Sequence, residues 1–473
     1  MARLAFIDKT GNLCSTAWTC LKEGHDVVYW IEDKSKIGNG LIPKVNSEKE
    51  VVDFHPDVVY VYQDPHRVVS LTGKDLTAYG SSLLASKLED ERLYATSLCE
   101  RYGIKVSSTF LFNSAKEAYD FLDTQEGKTR KGWVFKTNGK GSVASTHVTE
   151  SDEHLRAVLD FESHFKEIKS FILQERVEGI EVSIEGWFDY RLPSGSQWIM
   201  PINSTIERKR LMSGNVGSMT GCMYSVVWAW PGLQPKLFRQ TLLKMTPHLV
   251  KIKYVGPIDG NFIIDYKTRT PYFLEWTSRL GWNAFEAFMY GLDKPGTVGE
   301  LLVSLGTGVL HNYKLSNTYF GAVRLYAPMC PDLPIFAPLD SDKRLFPKDV
   351  YLDDDKQLRA VGLEAVCGLS VIMEAVAGGS TVKEASREIY EDVIPQVVTT
   401  DLAYRDDMEC IAKDIELLEA WGYITKSDKP THDYHRGFVS VEDSQEAQAN
   451  PDQDTPTTES QPDIQTSSLT GLV

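Results

Sequence analysis

A chain of 473 residues is long enough for several domains with sizeable cores, which excludes a small scaffold held together by disulfides or a structural metal. Its formal net charge of −16 disfavours nucleic acid over most of the surface, yet leaves room for a local basic pocket around a small phosphate ligand. The seven cysteines contain no CxxC pair, so reduced, mostly buried thiols are expected rather than disulfides or zinc. The start, MARLAFIDKT, is too short an apolar run for a signal peptide, and no later segment reaches about 18 uninterrupted apolar residues, so a cytoplasmic chain without a membrane span is expected.

In chain order, Arg3 to Ile7, Asp26 to Trp30 and Asp57 to Tyr62 read as apolar strands, with a helix from Thr16 to Lys22 between the first two. Strands alternating with helices predict a small open parallel sheet. The turns after its strands, Asp8 to Asn12 and Gln63 to Arg67, fall at strand carboxyl ends, where such sheets bind ligands. An amphipathic helix is predicted over Leu88 to Tyr102, then a strand over Ile104 to Leu111 and a helix over Ser114 to Leu122. Trp133 to Lys136 predicts a buried strand ending in a lysine, and Gly139-Lys-Gly141 a loop with almost no side-chain bulk before a strand from Val143. Backbone N–H groups of such a loop can close over a phosphate that the lysine neutralises. Leu155 to Leu159 can be helical, Phe171 to Glu175 is a strand, and Glu178 to Ile184 reads as its hairpin-like continuation. Tyr272 to Glu275 is an apolar strand with a carboxylate at its end, suited to a hard cation such as Mg²⁺. A helix over Val298 to Leu305, a strand over Tyr319 to Tyr326 and a helix near Thr381 to Ile389 follow. After Arg436 there is no lysine or arginine, and a polar tail from about Ser427 is expected to be disordered because it cannot bury enough apolar area.

Several motifs occur in a fixed order: Leu88-Glu…Arg92…Arg101-Tyr-Gly-Ile104, Val134-Phe-Lys136…Gly139-Lys-Gly-Ser-Val143, Gln174 to Ser183, Glu207-Arg-Lys-Arg210, Gly217 to Met223, and Phe273 to Gly281. This set resembles the ATP-grasp superfamily and, within it, the phosphoribosylamine–glycine ligase family, from about Leu88 to Tyr423. The resemblance implies an α/β ATP-grasp fold with an amino-terminal open parallel α/β domain (residues 1–85), an ATP-grasp domain (86–315), a small carboxyl-terminal α+β domain (316–426) and the tail (427–473). It implies ATP and Mg²⁺ or Mn²⁺ as cofactors, and an amide-forming reaction between small-molecule carboxylate and amine partners through an acyl phosphate. Glycinamide ribonucleotide synthesis is the nearest specific activity, and an inactive nucleotide-binding scaffold is the alternative of another class.

By the same resemblance Arg92, Lys136, Gly139, Lys140, Gly141, Ser142, Glu175, Val177 and Glu181 would bind ATP, with Glu175 to Val177 facing adenine and Glu181 the ribose. Lys209, Arg210 and Arg279 would be catalytic, Thr220 and Gly221 would line the substrate, and Glu275, Thr277 and Asn261 would hold the metal. The chain departs from the family pattern at Thr277, an asparagine there, at Asn261, often an acid, and at Met219 and Trp282-Asn-Ala284. It departs most at Lys9-Thr-Gly-Asn-Leu13 and Tyr62-Gln-Asp-Pro-His66, which replace the loops that would hold a sugar phosphate. A different amine acceptor is therefore expected.

Overall fold

The computed structural model describes residues 1–124, 127–128, 132–137, 146–162, 170–230, 235–281, 283–292, 297–308, 316, 318–339 and 344–424. The polar tail lies outside them. At the amino terminus β1 (Arg3–Asp8), β2 (Asp26–Ile31), β3 (Val58–Val61) and β4 (Ala78–Gly80) form a parallel sheet in the order β2-β1-β3-β4. Its strands are apolar on both faces because both are covered. Leu4 and Phe6 enter one core with Trp18 of α1 (Cys14–Lys22), while Ala5 and Ile7 enter a second with Val51 of α2 (Glu48–Asp53) and Leu71 of α3 (Pro65–Thr72).

The predicted helix over Leu88 to Tyr102 is two helices, α4 (Ser86–Asp90) and α5 (Arg92–Arg101), divided at Glu91, whose φ of −109° and ψ of 83° are not helical. No glycine or proline marks this break, so periodicity reads straight through it. The strand expected from Ile104 starts only at Thr109. It is β5 (Thr109–Phe112), which joins β6 (Trp133–Thr137), β7 (Thr146–Val148) and β8 (Phe171–Glu175) in an antiparallel sheet of order β5-β8-β6-β7. α6 (Ala115–Leu122) and α7 (Asp152–Glu162) cover it, with Phe112, Trp133, Phe135, Phe171 and Leu155 in their shared core.

The predicted hairpin between β8 and the following strand does not form. β9 (Gly179–Asp189) instead enters a second sheet with β10 (Trp198–Met212), β11 (Val216–Trp230), β12 (Val255–Asp265), β13 (Pro271–Thr277) and β14 (Tyr319–Pro328). After the short strands β15 (Pro334–Ile335), β16 (Leu345–Pro347), β17 (Val350–Leu352) and β18 (Leu358–Ala360), β19 (Leu369–Gly379) completes it. The order is β13-β12-β9-β10-β11-β14-β19-β16, so strands on either side of residue 315 share one sheet, while β15, β18 and β17 form a small one. The core against the amino-terminal sheet takes in Trp187 and Ile199 of the large sheet and Phe285 and Phe288 of the helix Ala284–Gly291. All seven cysteines are free: Cys14, Cys20, Cys99 and Cys222 are buried and Cys330, Cys367 and Cys410 exposed. Among the described residues no helix is long and apolar enough to cross a membrane.

Candidate active site

Strand alternation explains how the large sheet acquires a polar face. Residues two apart point the same way, which aligns Glu181, Ser183 and Glu185 on β9, Asp259 and Asn261 on β12, and Glu275 and Thr277 on β13. Register then sets them side by side: Asn261 opposes Glu275 and Ser183, and Asp259 opposes Thr277 and Glu185.

Cations reach this face from three directions. Lys136, 7% exposed on β6, extends from the small sheet and donates to Gln174 Oε1 at 3.0 Å and to the Leu274 carbonyl at 3.5 Å. Burial, reinforced by the neighbouring Arg92, pulls its ammonium down to about 8. Arg92, at the start of α5, donates through Nε to the Thr137 carbonyl at 3.4 Å and lies 3.5 Å from Glu275 Oε2. Lys209 on β10 donates to Glu181 Oε1 at 2.7 Å and is 3.7 Å from Glu207. Burial opposes ionisation of Glu275, but Lys209, Arg92 and Lys136 outweigh it and hold the carboxyl at about 2. Its side chain keeps 38% of its surface exposed, so the charge is not sealed off from solvent.

Arg279 follows β13 and joins this face to the amino-terminal sheet, donating to Glu89 Oε1 at 2.9 Å and to the Tyr62 hydroxyl at 3.3 Å. Glu175 and Val177 are half-buried in the segment that carries the chain from the small sheet to the large one. Thr220 donates to the Lys209 carbonyl at 2.7 Å, beside exposed Gly221. Arg210 is not drawn into the cluster: it donates to the Gly217 carbonyl at 2.8 Å in an exposed contact. Gly139, Lys140, Gly141, Ser142 and Trp282 lie outside the described residues.

Two acids of the face, Glu185 and Asp259, escaped motif matching. Glu207 is half-buried beside Lys209, and Glu185 and Asp259 are buried next to each other. Burial, then Asp259, pushes Glu185 up to about 8; burial, then Glu207, pushes Asp259 up to about 7. Two-residue periodicity counted from Glu181 and Asn261 was the signal that could have found Glu185 and Asp259. Beyond them, Arg324 on β14 opposes Glu374 on β19 and donates to Asn283 Oδ1 at 2.5 Å, while Lys348 bridges Glu286 and Glu374.

A magnesium ion takes hard oxygen donors, and Glu275 carboxylate, Asn261 amide and Thr277 hydroxyl oxygens share one corner of the face. These donors fit the ion in kind. Among the described residues no group of three or more His, Cys, Asp or Glu is arranged to hold a metal, so the ion would also need oxygens from a nucleotide.

Residues 90–283 match the family model of the phosphoribosylglycinamide synthetase ATP-grasp (A) domain. Over these residues the chain resembles that synthetase's ATP-grasp domain. It is 24% identical over 188 residues to the trifunctional purine biosynthetic protein adenosine-3 of Bos taurus, covering 39% of this chain and 17% of that one. It is also 24% identical over 248 residues to phosphoribosylamine–glycine ligase of Mesorhizobium japonicum, covering 50% of this chain and 54% of the ligase. The matched stretch thus spans about half the length of the bacterial relative. Among solved structures, phosphoribosylamine–glycine ligase of Thermotoga maritima superposes with a TM-score of 0.63 at 19% identity, covering 86% of this chain and 99% of that one. The biotin carboxylase domain of Hydrogenobacter thermophilus 2-oxoglutarate carboxylase, solved with MgADP, ADP and bicarbonate, gives 0.60 at 12%, covering 90% and 96%. At these identities the superpositions establish the ATP-grasp fold.

Proposed function

We propose that the chain is an ATP-dependent carboxylate–amine ligase whose amine acceptor is not a sugar phosphate. A substrate carboxylate attacks the γ-phosphorus of ATP, giving an acyl phosphate and ADP; an amine then attacks the acyl carbon, expels phosphate and leaves an amide. The observation that carries this reading is the convergence of Lys136, Arg92 and Lys209 on the face that holds Glu181 and Glu275. Lys136 and Arg92 neutralise nucleotide phosphates, Glu181 accepts from the ribose hydroxyls, and Lys209 and Arg279 offset charge on the transferring phosphoryl group. Glu275, Asn261 and Thr277 would hold Mg²⁺, which when bound neutralises phosphate charge and orients the leaving diphosphate. No side-chain nucleophile is needed. Alignment alone contributes up to about 7–11 kcal/mol when the reactants sit well.

The acceptor half of the reading is supported at the mouth of the amino-terminal sheet. A cavity of about 250 Å³ there is lined by Asp8, Lys9, Glu32, Tyr62 and Asp64 among others. Backbone N–H groups at such a mouth would normally receive a phosphate. Here Asp8 accepts from the N–H groups of Gly11 and Leu13 and from the Tyr29 hydroxyl, and Asp64 caps α3 by accepting from Arg67 N at 3.0 Å. The chain's own carboxylates therefore occupy donors that a phosphate ester would require, and would repel it.

ADP release from ATP with pooled amino acids and amines tests the proposal. Turnover is expected with such a pool and not with phosphoribosylamine plus glycine. Turnover with the latter pair alone would reject the acceptor assignment. MgADP binding without turnover under any pool would favour a nucleotide-binding scaffold, in which Arg92 rather than a metal remains the partner of Glu275.

A further inference from the structure

Glu185 and Asp259 are the anomaly of the polar face. Glu185 is 3% exposed and Asp259 8%, they oppose each other in the β9–β12 register, and Glu185 Oε1 and Asp259 Oδ1 have no hydrogen-bond partner. The other oxygen of Asp259 is served by Thr277 Oγ1 at 3.3 Å and Asn261 Nδ2 at 3.4 Å. Cations of the same face are engaged elsewhere, Lys209 with Glu181 and Arg279 with Glu89. Two adjacent buried carboxylates without a cation oppose folding, and such an arrangement persists where a bound group supplies the missing charge.

Space for that group lies beside Glu185. Gly281 is half-buried, and a Cβ built on it would lie 3.5 Å from Glu185 Oε2, so the missing side chain leaves room directly against the carboxylate. Its backbone conformation is not one that demands glycine. Opening that space is therefore what a glycine contributes at this position.

We propose that Glu185 and Asp259 form the receptor for a primary ammonium group carried by the acceptor substrate, with the unpartnered oxygen of each accepting one of its N–H bonds. The ligand class follows from the chemistry: a compact cation with several donors satisfies both oxygens at once, whereas a bulky quaternary cation offers no N–H. The inference deepens the ligase reading and rests on it only for the name acceptor; the site itself requires no nucleotide.

The test uses the full chain at constant ionic strength. Thermal melting is followed with ethylammonium chloride, with tetramethylammonium chloride and with magnesium chloride, for the unaltered protein, Glu185→Gln, Asp259→Asn and Gly281→Val. Ethylammonium, not tetramethylammonium, should raise the melting temperature of the unaltered protein. Glu185→Gln and Asp259→Asn should melt at the same or a higher temperature without ligand, since each replaces a carboxyl whose ionisation burial opposes with a neutral amide of nearly the same shape, and their ethylammonium affinity should fall by about tenfold or more. Gly281→Val should lose the response with both carboxylates intact. No ethylammonium response, an equal response to tetramethylammonium, or variants that retain the response would overturn the proposal. Loss of a magnesium response in place of the ethylammonium one would assign the pair to a metal instead. MgADP binding by calorimetry separates the two levels: if the nucleotide binds and ethylammonium does not, this inference falls and the ligase reading stands, and the reverse result rejects that reading alone.

Discussion

At the mouth of the amino-terminal sheet, Asp8 and Asp64 are committed to N–H groups of their own loops, whereas across the large sheet Glu275 keeps an exposed face and Glu185 and Asp259 each retain an unpartnered oxygen. Both regions place carboxylates where the fold class binds ligands, but one satisfies them locally and the other over long range. Local satisfaction closes each loop on its own carboxylate. Long-range satisfaction leaves charge that a ligand can complete, and the cations opposite it arrive on separate elements, Lys136 on β6, Arg92 on α5 and Lys209 on β10. A carboxylate's function here is thus read from how its hydrogen bonds are closed rather than from its position in the sheet.

The largest effect expected is at Glu275. Its carboxyl is held at about 2 against the cost of burial by Lys209, Arg92 and Lys136, so it is charged throughout the neutral range. Glu275→Gln should leave the melting temperature within a few degrees and reduce ADP release by about 10²-fold or more, the scale of losing one preorganised electrostatic partner. Full activity at low Mg²⁺ would put the metal elsewhere. Asp8→Ala probes the opposite region. Removing a buried carboxylate orphans the N–H groups of Gly11 and Leu13 and the Tyr29 hydroxyl, and should lower unfolding free energy by about 2–4 kcal/mol. MgADP affinity should change little. An affinity loss as large as that of a cleft variant would erase the distinction between the regions.

Lys136 gives the comparison a pH signature. Burial, then Arg92, lowers its ammonium from 10.5 to about 8. Nucleotide phosphates would raise that value, so binding takes up protons. For a group whose bound value is the higher one, the contribution is complete below about 8 and declines as pH rises through the bound value. MgADP affinity should therefore be flat below pH 7 and fall above 8, with proton uptake visible as a buffer-dependent heat. Lys136→Met should weaken binding by about 10–100-fold and abolish that slope. A slope that survives in Lys136→Met would assign it to another group.

Much of the fold was legible because apolar runs declare buried strands: β1, β2, β6, β8 and β13 lie where the sequence predicts them. The break at Glu91 was not legible, since it carries no turn residue, and neither was the entry of β9 into a different sheet, because strand partners depend on distant chain. The site shows the same division. Lys136, Glu181, Lys209 and Glu275 come together on one face, while Arg210, adjacent to Lys209 on the same strand, points the other way and donates to the Gly217 carbonyl. Glu185 and Asp259 went unnoticed because motif matching looks for expected residues, whereas a two-residue period would have put them on the charged face whatever their family role.

The smallest effect expected is at Thr277, and it asks whether the open region is tuned or merely depleted. Thr277 opposes Asp259 and donates to its Oδ2 at 3.3 Å, so its hydroxyl proton is already engaged while its oxygen lone pairs remain available to a cation. An asparagine at this position has a longer side chain with separate donor and acceptor atoms. Its amide N–H₂ could keep the contact to Asp259 while its oxygen reaches further toward Glu275, two residues away on the same strand face. Thr277→Asn should therefore strengthen apparent Mg²⁺ affinity by up to about 1 kcal/mol, roughly the worth of one improved polar contact. The measurement is ADP release against Mg²⁺ concentration for the unaltered protein, Thr277→Asn and Glu275→Gln. Thr277→Asn should shift the midpoint down by up to about fivefold with little change in the plateau. A lower plateau at an unchanged midpoint would mean that Thr277 serves Asp259 rather than the metal, and that this corner of the face is closed as locally as the amino-terminal loops.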